Sequence, residues 1–147
     1  MSMSLRNSRE CAQRAQEHEA AAHLFAQSQN EWAAVCFFYS AYHYMRGALI
    51  SDPVFGELTR LQSIKQDLIP DDRYAAKHQG RRGTGRPEFG VNDLVRLLYG
   101  SFSISYEALH QASLDVRYYR GFKGNLGALE GHLTAIREAA TTGQLVA

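Results

Sequence analysis

An arginine and a histidine five positions apart, in the run Arg73-Tyr74-Ala75-Ala76-Lys77-His78, are the residues of this chain best suited to chemistry on a phosphodiester. A histidine titrates near neutral pH and can take a proton from a hydroxyl, and a guanidinium can stabilise the charge that builds on a pentavalent phosphorus. The two suffice to cut RNA without a metal. The base deprotonates a 2′-hydroxyl, which attacks the adjacent phosphorus and leaves a 2′,3′-cyclic phosphate. On this reading His78 is the base, and Arg73 or Arg81 holds the phosphate. Lys77, Arg82 and Arg86 add positive charge, with no acid between Arg73 and Glu88. Arg117, Arg120 and Lys123 form a second basic group. Arginine's planar fork suits phosphate oxygens, and the glycines of the first stretch let backbone approach a ligand closely. The alternative is a solvated loop with ordinary surface charges.

A second polar set lies in an apolar stretch. Tyr39 and His43 are four apart, and Arg46 follows one turn later. A histidine there is either a satisfied core residue or a member of a site. Tyr99, Tyr106, Ser113 and Arg117 line a polar seam, which would face a neighbouring helix or a dimer partner. Other chemistries are set aside. There is no Gly-rich phosphate loop ending in Gly-Lys-Ser/Thr, no His-Glu-x-x-His and no Gly-x-Ser-x-Gly elbow. Cys11 and Cys36 lack zinc spacing. The sequence predicts no metal site and no cofactor.

The elements that must position these residues are helical. Prolines number three, and no alternating strands with tight-turn pairs occur. Asn7 is placed to cap a first helix running through Gln27, with Glu10 reaching back and Cys11, Ala15, Ala22 and Phe25 along one face. Asn30 caps a second, from Glu31 to near Ile50, whose apolar residues spread around its circumference and make it central. Asp52-Pro53 stops it and opens a short third helix that ends at Pro70. Asp71 or Asp72 caps a further turn from Arg73 to near His78, and a Gly/Arg-rich loop occupies 79–91. A long helix is predicted from Asp93, capped by Asn92, to Arg120, with Gly100 as its weak point. Unbroken, its roughly 28 residues would span about 42 Å. A last helix runs from Asn125 to Ala140. The fold class is therefore all-α, an antiparallel up-and-down helical bundle in a single domain covering 1–147.

Composition bounds the function. The chain has 147 residues, 45% hydrophobic, with eight Tyr, seven Phe and one Trp, which excludes disorder. Sixteen basic and fifteen acidic side chains leave +1, so nucleic-acid affinity has to come from a local patch. The two cysteines are expected reduced, as in a cytosolic protein. The start of the chain has no secretory signal, and the most apolar run, Trp32 to Met45, is shorter than the roughly 20 residues a membrane span needs. The expectation is a cytoplasmic protein with no membrane partner.

The run Trp32-Ala33-Ala34-Val35-Cys36-Phe37-Phe38-Tyr39-Ser40-Ala41-Tyr42-His43 resembles the second helix of HEPN-domain proteins, where a Trp-Ala and an aromatic-Tyr-x-Ala-x-His run recur. His78-Gln79-Gly80-Arg81 is similar to the His-x-x-Arg of one HEPN subgroup, and Tyr99, Leu109, Ser113 and Val116-Arg117-Tyr118 to that subgroup's long-helix ending. The resemblance covers Arg14 to Arg120. It implies a helical bundle that dimerises, with metal-independent ribonucleases of toxin and antiviral defence systems among its members. Their signature is an arginine followed by four to six residues and a histidine, which Arg73 and His78 match. The resemblance thus implies an RNA- or nucleotide-binding homodimer, with His43, Arg117 and Tyr118 as further site members. A different class remains open: a non-catalytic HEPN-like module that holds a nucleotide or a partner such as a nucleotidyltransferase or an antitoxin. A plain helix-pair interaction domain is a third reading, although no second copy of a repeat occurs.

Overall fold

Asn7 opens the first helix through its side chain, whose Oδ1 accepts from the Arg9 N–H at 2.8 Å. The structure, a computed structural model, describes residues 7–78, 80 and 88–147. Arg81, Arg82 and Arg86 lie outside the described residues, with much of the loop expected at 79–91. Among the described residues the chain forms α1 (Ser8–Gln27), α2 (Ala33–Ser51), α3 (Leu58–Ile64), α4 (Val91–Leu98), α5 (Ser103–Tyr118) and α6 (Leu126–Thr141). Short 3-10 turns lie at Pro53–Gly56, Pro70–Tyr74 and Gly100–Phe102, and no strand is present among these residues. The fold is an all-α bundle. No helix among the described residues is long and apolar enough to cross a membrane.

Small residues set the closest helix pair. Ala15 and Ala22 on α1 and Ala34 and Ala41 on α2 are fully buried, so the two backbones approach closely. Ser40 Oγ donates to the Ala15 carbonyl at 2.8 Å. A Cβ on Gly47 would lie 3.3 Å from the Cys11 Cβ, a tight contact that marks how closely the helices approach there. His18 meets His43 and His23 meets Phe37, so the pairing runs in opposite senses along the two helices. The turn between them uses Gln29 in the left-handed region (φ 57°). There the Gln29 and Asn30 N–H groups donate to the Ala26 and Phe25 carbonyls, which closes the end of α1. Asn30, expected as the cap of α2, instead accepts from the Trp32 N–H at 3.0 Å in the turn before it; the helix starts at Ala33, with Trp32 at the N-cap and no side-chain cap.

α2 is the central element, as its apolar circumference predicts. Phe37, Phe38, Met45 and Leu49 are fully buried in one core cluster shared with Leu94 of α4, Leu109 of α5, and Leu133 and Ile136 of α6. Two expectations are corrected at the edges: Phe25 is 38% and Trp32 47% exposed. The larger correction concerns the long helix. It is broken: α4 ends at Leu98, Gly100–Phe102 makes a 3-10 turn, and α5 starts again at Ser103 and ends at Tyr118. Gly100, the predicted weak point, lies in that break. Asn92, expected as a cap, lies inside α4 with its side chain buried.

α2 stops where residue 52 precedes proline and becomes extended (φ −70°, ψ 124°). The Asp52 carboxylate is buried and takes three donors. Oδ1 accepts from the Val54 N–H at 2.9 Å, and Oδ2 accepts from the Tyr99 hydroxyl at 2.8 Å and the Ala147 N–H at 2.9 Å. It therefore ties the end of α2 to the α4–α5 junction. Asp52→Ala is expected to lower stability by about 3 kcal/mol, since it strands buried donors. Urea unfolding measures this, and an unchanged midpoint would refute the carboxylate's role.

Candidate functional site

After the 3-10 turn Pro70–Tyr74 comes an irregular stretch in which four successive carbonyls are each engaged. The Ala75 oxygen accepts from Arg46 Nε at 3.2 Å, and the Ala76 oxygen from the Tyr42 hydroxyl. The Lys77 and His78 oxygens accept from the Val91 and Asn92 N–H groups at 2.8 and 2.9 Å. Tyr42 and Arg46 are one turn apart on α2, so they reach the neighbouring carbonyls of Ala76 and Ala75. Val91 and Asn92 belong to the first turn of α4, whose N–H groups have no partner inside the helix. Residues 75–78 are thus strapped between two helices, and His78 is laid on the aromatic face of α2.

That face is built from Phe38, Tyr39 and Tyr42. The His78 ring centroid lies 4.7 Å from Tyr42, 5.3 Å from Phe38 and 5.4 Å from Tyr39, with the first two edge-on. His110 of α5 lies 4.9 Å from Phe38 and 6.2 Å from His78. On the other side of Tyr42, His43 lies 5.0 Å away and stacks on His18 of α1 at 5.3 Å with nearly parallel planes. Four of the six histidines therefore gather along one half-buried aromatic surface.

Arg117 supplies its positive charge. Its Nη1 donates to the Tyr39 hydroxyl at 3.0 Å and its Nη2 to the Tyr118 hydroxyl. The guanidinium carbon lies 4.7 Å from the Tyr118 ring centroid and 5.7 Å from that of Tyr39. Both distances suit cation–π attraction. Among the described residues no carboxylate pairs with it. Arg117 therefore keeps a charge available to an anion.

The imidazoles are held neutral. Burial, then the neighbouring His18 imidazole, then Arg46, Arg14 and His78 push His43 from the ordinary 6.5 down to about 3. Burial, His110 and Arg117 push His78 down to about 4. His18 and His110 are lowered chiefly by burial, with Arg14 and Arg117 respectively the next causes. His43 Nδ1 is buried without a partner, and a proton placed there would have no acceptor. His78 makes no side-chain hydrogen bond, and its ring nitrogens are not among the buried unpartnered atoms, so they face solvent. Such a surface can accept a proton at His78 and hold an anion at Arg117.

The residues singled out in the sequence divide into two groups. His78, His43, Arg117 and Tyr118 come together here. Arg73 does not join them: its Nη2 donates to the Asp52 carbonyl at 3.2 Å and its guanidinium lies 5.7 Å from the Phe55 ring. The 3-10 turn points Arg73 back towards the end of α2, while the irregular stretch carries His78 away. Lys77 is exposed and pairs with Glu88 at 3.6 Å. Arg81, Arg82 and Arg86 are outside the described residues. His110 and His18 were missed. His110 lies four after Tyr106 and seven before Arg117, on the seam already noted, and its place there was the available signal. Among the described residues no three His, Cys, Asp or Glu side chains converge to hold a metal.

No protein-family model matches the chain, and it matches no curated protein and no solved structure.

The depressed histidines make stability pH-dependent. Unfolded, each would bind a proton near 6.5; folded, His78 and His43 stay neutral to about 4 and about 3. Below pH 6.5 the unfolded state therefore binds more protons, and stability falls as pH drops towards those folded values. Urea midpoints at pH 7.5, 6 and 5 are expected to decrease in that order, and less steeply in His43→Gln. A flat series in the parent chain contradicts the buried-neutral assignment.

Proposed function

We propose that this is an RNA- or nucleotide-binding protein of HEPN type in which His78 and Arg117 form the working pair of a metal-independent endoribonuclease. The observation that carries this reading is the common placement, on one aromatic surface, of a neutral imidazole and a guanidinium with no carboxylate partner among the described residues. The family resemblance supports it. The aromatic-Tyr-x-Ala-x-His run lies on α2 and Val116-Arg117-Tyr118 ends α5, so both resembling segments contribute to the site.

In the proposed reaction a substrate 2′-hydroxyl gives its proton to His78 as its oxygen attacks the adjacent phosphorus. The bond from phosphorus to the 5′-oxygen breaks, that oxygen takes a proton from water, and the hydroxide so formed takes the proton from His78, which restores the base. The products are a 2′,3′-cyclic phosphate and a 5′-hydroxyl. Arg117 holds a non-bridging oxygen through the transition state. Arg117 thereby takes the part that sequence spacing gave to Arg73. The proposal includes a cytoplasmic homodimer in a toxin or antiviral defence setting, where a two-fold axis would join two such surfaces.

A non-catalytic binding module, partnering a nucleotidyltransferase or another protein, is favoured by one observation: Arg73 is directed away from His78. Incubating the protein with single-stranded and structured RNA in EDTA separates the two. The expected result is cleavage to cyclic-phosphate ends, reduced at least 100-fold in His78→Ala and in Arg117→Ala. RNA binding without cleavage would select the binding module. Cleavage that survives both substitutions removes this site from the reaction.

A further inference from the structure

His110 carries more information than its ring contacts alone. The amide of Asn92 lies between it and Tyr106: the Tyr106 hydroxyl donates to Asn92 Oδ1 at 2.8 Å, and Asn92 Nδ2 lies 3.4 Å from His110 Nδ1. Tyr106 is 1% exposed and its hydroxyl has Asn92 as its hydrogen-bond partner. A buried hydroxyl with one partner must donate to it, because an unmet donor costs more than an unfilled lone pair. This fixes the amide with its oxygen towards Tyr106 and its NH2 towards His110. The Nδ1 atom of His110 therefore accepts, and the proton of the neutral ring sits on Nε2. Among the described residues Nε2 has no partner, and it is not among the buried unpartnered atoms, so its N–H reaches solvent beside His78 and Arg117.

We propose that His110 is a ligand-binding residue of this site, an imidazole whose Nε2–H donates to a non-bridging oxygen of a phosphodiester or phosphate held between His78 and Arg117. Asn92 and Tyr106 are its positioning residues. The inference rests on the reading of this surface as a phosphate site, and it assigns His110 a part distinct from that of His78. A second proton on Nδ1 would face the Asn92 NH2 group, so His110 serves neither as general base nor as general acid. It is a fixed dipole, which needs no reorganisation as charge develops. The charged groups around it agree with a neutral ring: Arg117 on its own helix and Arg96 on α4 disfavour protonation, and Glu107, which favours it, is engaged by Arg96 at 3.0 Å. His78 opposite it is also neutral.

The test has two readouts on the full chain. Long-range nitrogen–proton NMR at pH 7 reports the tautomer of each imidazole. The Nε2–H form is expected for His110, and an Nδ1–H form or an imidazolium overturns the proposal. Asn92→Asp puts a carboxylate against Nδ1 and is expected to move the proton there and raise the His110 pKa, an effect that mere packing would not produce. An unmoved tautomer in that variant also counts against it. For binding, the probe is a single-stranded RNA with every 2′-hydroxyl methylated, followed by anisotropy, with inorganic phosphate titrated separately against the His110 resonances. His110→Ala is expected to weaken RNA binding about tenfold, and His110→Gln, which keeps an N–H near the Nε2 position, by less. Equal affinity in parent and His110→Ala overturns the proposal. If RNA fails to bind but phosphate shifts His110, the RNA reading falls and the donor role stands. If neither ligand acts on His110, both fall.

Discussion

The constraint on which this site depends is the engagement of four consecutive backbone carbonyls, from Ala75 to His78, by donors from two helices. An irregular segment lying against a helical bundle has no ladder partner of its own, and its polar backbone must find donors elsewhere. Here it finds two side chains of α2 and two of the unsatisfied N–H groups that begin every helix. The arrangement serves both parties. α4 gains acceptors for its first turn, and the segment gains a fixed track along α2. Tyr42 and Arg46 are both buried. Together they set where the His78 ring must lie.

Once the strap is in place, the electrostatics follow from the aromatic surface. Phenyl and phenol rings around His78 and His110 remove water without offering an anionic partner, so the neutral forms of the imidazoles are favoured. Arg117 escapes the same penalty because a guanidinium is weakly hydrated, stacks on aromatic faces and does not lose its proton. The result is a guanidinium, Arg117, held against neutral donors and acceptors. A surface of that kind attracts an anion without the mutual repulsion that four imidazolium ions would impose.

Much of the fold was legible because helix boundaries are local. Asn7 and Asn30 accept from the backbone two residues on, as their positions before helical stretches suggested, and Asn125, read as the first residue of the last helix, does the same from the N-cap. Asp52-Pro53 stopped α2 because a residue before proline is driven out of the helical region. The break near Gly100 was only half legible. Periodicity continues across it, and nothing in the pattern reveals that the chain folds back. In a straight helix Asn92 and His110 would stand about 27 Å apart, whereas the turn brings their side chains within 3.4 Å. Sequence spacing likewise paired Arg73 with His78, but a 3-10 turn followed by an irregular stretch sends them to different partners. Tertiary contacts of this kind, between residues with no fixed spacing, lie beyond what a linear pattern encodes.

Asp93 has a consequence for how the site is anchored. Its carboxylate accepts from the N–H groups of both Gly80 and Gly90, at 3.4 and 3.0 Å, and Lys77 meets Glu88 across the same gap. The two ends of the arginine-bearing insert are therefore clasped together at its root, independently of what lies between them. The clasp also holds the His78-bearing segment against the start of α4, so the imidazole surface and the first turn of that helix share one anchor.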